Sequence, residues 1–143
     1  MKIRNGYVSN SSSSSFCIPI SALKQNQIEM IKDHIQYALK FIVENNIKCE
    51  NFHGSLDAGE LGFVGAGEEW SIEERTNCIY GYTTMNNFDM QNFLSKIVNV
   101  KDEYVKWGDD WGNFTDFDHL DFNEMNKQII HKERKDKLKK LNE

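Results

Sequence analysis

A chain of 143 residues, 39% hydrophobic and carrying nine Phe, five Tyr and three Trp, fits one domain with a sizeable core. No apolar run approaches the ~18 residues of a membrane span, no export signal is read at the start, and three cysteines at irregular spacing form no disulfide framework, which together predict a cytoplasmic, reducing setting and no membrane partner. The net charge of −5 is divided along the chain: +3 over residues 1–49 (six basic, three acidic), −12 over 50–124 (four and sixteen) and +4 over 125–143 (seven and three). The acidic middle argues against direct nucleic-acid binding by the domain and suits either a basic partner or a well-solvated surface.

The first fifteen residues differ in composition from the rest. Ser9-Asn10-Ser11-Ser12-Ser13-Ser14-Ser15 is a low-complexity tract that cannot build a core, so residues 1–15 are expected to form a Ser-rich leader ahead of one domain over 16–143. Such a leader is either a solvated tail or an address used for docking, processing, packaging or phosphorylation. The order Arg4, Gly6, Tyr7, Val8, Ser9, Asn10, then serines to Ser15 and Phe16, resembles the opening of a group of small uncharacterised proteins of bacteriophages and bacteria. Those begin Arg-x-Gly-aromatic-Val-Ser-Asn before a serine run and Phe; Tyr7 stands where Phe is commoner. The resemblance covers about sixteen residues. It implies a phage-type origin, hence the host-cell cytoplasm, and no activity.

Phe16 to Ile20 reads as a short strand, with Pro19 pointing to an edge position or a strand end. Ser21 to Gln25 is a turn. Asn26 then caps a helix with Glu29 at N3, and Ile28, Ile31, Ile35, Leu39 and Ile42 form its core-facing stripe. Asn45-Asn46 ends it. Ile47 to Phe52 is a candidate strand, and Gly54 to Gly67 a glycine-rich loop holding a short strand at Leu61–Val64. From Trp70 the chain reads strand, turn at Glu74-Arg75-Thr76-Asn77, and strand over Cys78–Thr83. Met90, Phe93, Leu94, Ile97 and Val98 then fall on one helical face, with Asp89 as N-cap and Phe88 packing on Phe93 as a staple. Lys101 to Trp111 supports only a short strand or irregular turn. A last helix, capped by Asp116 or Asp118, buries Phe122, Met125 and Ile129 and continues from about residue 131 as a charged extension.

Residues with chemical potential are scattered. Cys49 and His53 form a Cys-x₃-His pair, but a structural zinc needs four ligands and no second close pair exists. Asp57 and Glu60 complete a conceivable catalytic or metal-binding module around that pair. Gly59, Gly62, Gly65 and Gly67 do not make a phosphate cradle, because Glu68-Glu69 follow where positive potential is required. The stretch from Trp107 to Glu124 interleaves carboxylates with aromatics. Its residues Trp107, Asp109, Asp110, Trp111, Asp116 and Asp118 are the candidate binding site: aromatics as anchors, charge as steering. A loop whose aromatics turn inward is the structural alternative.

The fold expected is α+β: a small, mainly antiparallel sheet packed against two core helices, with a third helix at the C-terminus. The function expected is that of a non-enzymatic phage-type accessory protein binding a host or viral macromolecule, most simply a protein, through the acidic and aromatic surface, without cofactor or metal. Two alternatives stand beside it: a small enzyme or metal-binding module at Cys49 and His53, and a virion-associated structural or cargo protein.

Overall fold

Ser14 to Pro19 form the first strand, β1, and all six of its residues are buried. The computed structural model describes residues 14–52, 55–65, 69–83, 88–108, 117 and 120–141. After β1 come a 3₁₀ turn (Ile20–Ala22), α1 (Gln25–Lys32), α2 (His34–Glu44), β2 (Glu50–Phe52), β3 (Ser55–Asp57), a second 3₁₀ turn (Gly59–Leu61) and β4 (Phe63–Val64). Next are β5 (Ser71–Glu74), β6 (Cys78–Thr83), α3 (Met90–Asn92) continuing as π-helical turns over Phe93–Val98, a 3₁₀ turn (Asp102–Tyr104), β7 (Lys106–Gly108) and α4 (Phe122–Leu141). The architecture is the α+β arrangement expected.

The main sheet has strand order β5-β6-β1-β7 and every pairing in it is antiparallel. β1 is therefore an interior strand, not an edge. Pro19 is tolerated because it ends the strand, beyond the Ser15–Cys17 span that pairs with β7. The expected leader boundary also falls inside β1, since Ser14 and Ser15 pair with Thr83 and Tyr82. The ladder carries them into the core despite their composition.

Both faces of β1 are covered, which is why its sequence does not alternate. On one face Phe16 and Ile18 join Ile79, Trp70, Ile31, Ala38, Phe88, Met90, Phe93 and Leu94 in the principal core, supplied by α1, α2 and the α3 segment. On the other, Cys17, Cys78 and Tyr80 pack with Phe117 and Phe122, at the start of α4. The sheet thus lies between two helical layers. Phe16 is held by Trp70 and Trp107, each ring centroid 5.6 Å from its own.

The helix expected from Asn26 to Ile42 is interrupted at Asp33, whose φ of −118° and ψ of 41° separate α1 from α2. The interruption has a local cause. The His34 ring lies 2.8 Å from the Ile31 carbonyl through Nδ1, and that carbonyl would otherwise accept the Ile35 N–H. α1 also starts earlier than expected, with Lys24 rather than Asn26 as N-cap and Gln27 accepting the Lys24 N–H at 2.8 Å. The Gln27 amide donates at its other end to the Val98 carbonyl, 2.9 Å away, so one side chain ties two helix termini.

Asp89 is the N-cap expected: its Oδ1 accepts the Asn92 N–H at 3.1 Å. Phe88 and Phe93 meet with ring centroids 5.5 Å apart, the staple read from the spacing. Past Asn92 the helix widens to π turns and closes where Asn99 takes a left-handed φ of 65°, its N–H on the Leu94 carbonyl.

The glycine-rich stretch is more ordered than a plain loop. β2, β3 and β4 make a second, three-stranded antiparallel sheet, and Gly59 and Gly62 turn the chain with φ of 63° and 72°. The Asp121 carboxylate accepts the Glu124 N–H at 3.0 Å at the start of α4; Asp116 and Asp118, the caps expected, lie outside the described residues. Asn126 fastens α4 to the domain, accepting the Ser21 N–H and donating to the Asn77 carbonyl, each at 2.9 Å. From residue 130 on, α4 is exposed, the charged extension expected.

Candidate functional site

Trp107 sits in β7 opposite Phe16, and its half-buried ring lies 6.4 Å from that of Trp70 on the principal-core face. It is a packing residue first, the inward-turned alternative, and not a projecting anchor. Further along the acidic stretch Phe117 is buried against Tyr80, edge to face at 6.0 Å, on the opposite face of the sheet. Asp109, Asp110, Trp111, Asp116 and Asp118 lie outside the described residues. The same is true of Arg4, Gly6, Tyr7, Ser9, Asn10, Ser11, Ser12 and Ser13 of the leader, and of His53. What is described is the packing of Trp107 and Phe117, one on each face of the sheet.

The remaining candidates are spread through the fold. Cys49 is half-buried with its Sγ 3.6 Å from the Ile47 carbonyl, while Cys78 belongs to the cluster under α4. Asp57 accepts the Gly59 N–H at 3.1 Å and so stabilises its own turn. Glu73 and Glu74 pair with Arg75 and Lys32. Among the described residues no group of three or more His, Cys, Asp or Glu side chains is placed to hold a metal ion.

The titratable groups of the interior are committed to the fold. His34 is fully buried, and its Nε2 accepts the backbone N–H of Trp70 at 2.9 Å. That N–H can only donate, so Nε2 is bare and the ring proton resides on Nδ1, directed to Ile31. Burial pushes the His34 pKa below its ordinary value, keeping the ring neutral. Cys17 and Cys78 are both fully buried, and the Cys17 thiol is pushed up by its hydrogen bond to Cys78 and by burial. Neither sequence motif nor spacing singles out these groups by chemistry. His34 does fall on the apolar stripe between Ile31 and Ala38, the one signal that could have placed it inside.

Two depressions are built from residues that are not neighbours in the chain. A polar cleft of about 590 Å³ opens between α1, the Val98–Asn99 turn and α4, lined by Lys24, Lys101 and, from α4, Lys132, Glu133 and Asp136. A smaller recess of about 340 Å³, mostly apolar, lies between the end of α2, the Gly59–Leu61 turn and the π-helical turns. No described helix is long and apolar enough to cross a membrane.

Comparison of the chain with protein-family models, with curated proteins and with solved structures gives no match.

Proposed function

We propose that the protein is a non-enzymatic accessory protein of phage type that binds a host or viral protein through the acidic and aromatic stretch following β7, with the Ser-rich leader serving as a tag. The observation that carries this reading is the anchoring of that stretch: Trp107 on Phe16 and Trp70 at its start, Phe117 on Tyr80 further along. Between Trp107 and Phe117 the sequence carries Asp109, Asp110 and Asp116, carboxylates of the sign that steers a basic partner. The commitment of His34 to two hydrogen bonds and the burial of Cys17 and Cys78 in one cluster also support a binding role, because these groups serve packing and not a cleft.

The test is affinity capture from host lysate with the full chain and with a variant in which Asp109, Asp110, Asp116 and Asp118 are changed to Asn. A protein retained by the first, lost by the second and released by raised salt is the expected outcome. Identical recovery by both, or recovery no better than bare matrix, removes the proposal.

A further inference from the structure

Phe41 and Ile47 from around the end of α2, Leu61 and Ile97 come from three separate stretches and meet as the walls of the 340 Å³ recess. Its volume falls in the range of ~300–1,000 Å³ typical of small-molecule sites, and its lining is apolar in the manner of such sites. Gly59 borders it with a φ of 63°, and a Cβ placed there would meet no atom within 4 Å. The charged residues that line it are Lys48 and Lys96, both exposed, and no carboxylate stands among the described lining residues. In a chain of net charge −5, the charge carried by the described lining residues is positive.

An apolar interior under a cationic rim selects for a ligand with the reverse polarity. We propose that this recess binds a single-chain amphiphile, an alkyl body with a carboxylate head, the body lying between Phe41, Leu61 and Ile97 and the head beside Lys48. The alkyl body contributes through the apolar area it removes from water, and the ammonium decides between heads of different charge. Lys96 already holds a contact of its own, so Lys48 carries the recognition of the head. Phe41, Ile47 and Ile97 are each only part-buried, so a chain laid along them covers surface the fold leaves wet.

The test is an NMR titration of the full-length protein, methyl-labelled at Ile and Leu, with octanoate, octanol and octylamine as probes. Octanoate should shift Ile47, Leu61 and Ile97 saturably with a dissociation constant on the order of 0.1–1 mM. Octanol and octylamine should bind at least ~3-fold more weakly. Lys48→Glu changes an exposed side chain and should weaken octanoate ~3- to 10-fold while leaving octanol as it was. Equal affinity for the three probes, indifference of octanoate to Lys48→Glu, or shifts centred on α4 or the polar cleft would overturn the assignment. So would tighter binding, at the same methyls, of a short peptide pairing leucines with aspartates, which would make the recess a peptide site.

Discussion

The backbone N–H of Trp70 ends on the imidazole Nε2 of His34, 36 residues earlier in the chain and 2.9 Å away. This bond joins the helical layer to the entry of β5, and it exists only while the ring is neutral. Protonation would place a second N–H against the Trp70 donor in a fully buried position. The folded pKa lies below the ordinary 6.5, so the unfolded chain takes up the proton first as pH falls. The contribution of His34 is therefore complete above about 7 and is lost progressively as pH drops through 6.5 toward the folded pKa. Urea midpoints measured across that range should decline for the wild type, and the decline should shrink in His34→Gln. That variant should itself cost about 2–3 kcal/mol at neutral pH, because its amide cannot meet both backbone groups at the ring's spacing.

Gly81 faces Phe16 across the β1–β6 ladder, and a Cβ there would overlap the Cε1 and Cζ atoms of the Phe16 ring. The ring has nowhere to retreat, being fully buried between Trp70 and Trp107. Gly81→Ala should destabilise by about 1–3 kcal/mol. In a double-mutant cycle with Phe16→Leu the two costs should be less than additive, since the smaller side chain vacates the contested space. Strict additivity would mean the strand yields elsewhere.

Asp89 is buried and holds the start of α3 with both carboxylate oxygens, one on the Asn92 N–H and one on the Asn92 side-chain amide at 2.9 Å. Asp89→Ala should cost about 1–2 kcal/mol. Asp89→Asn should cost less, because one oxygen still caps. Chemical denaturation of the two variants side by side orders them, and an equal loss would argue that burial and not capping makes the site intolerant.

Ser14 and Thr83 face each other in register at the end of the β1–β6 ladder, both buried, with hydroxyls that have no hydrogen-bond partner among the described residues. A buried hydroxyl without a partner opposes folding. Thr83→Val keeps the shape and removes the hydroxyl, and should raise stability by about 1 kcal/mol. A thermal melt that moved downward instead would show that the hydroxyl is satisfied.

What the sequence made legible is what neighbouring residues decide among themselves. Phe88, Asp89 and Phe93 lie within six positions, so the cap and the staple could be read from spacing alone, as could the hairpin around Arg75. What escaped reading depends on distant partners. The break at Asp33 follows from His34, whose second bond reaches Trp70; Ser14 and Ser15 are carried inside by their pairing with β6, and Ser15 also by β7; Trp107 turns inward because Phe16 is there. The apolar recess escaped for the same reason, since Phe41, Leu61 and Ile97 share no periodicity with one another.

The interior place of β1 also bears on synthesis. Phe16 emerges from the ribosome 65 residues ahead of its ladder partner Gly81 and 91 ahead of Trp107. A nascent chain must therefore carry β1, a strand buried along its whole length, unpaired until most of the polypeptide has been translated. Contacts of such sequence separation form slowly. A product terminating before Lys106 would retain an open backbone edge along Ser15–Cys17, the kind of edge that recruits other copies into aggregates.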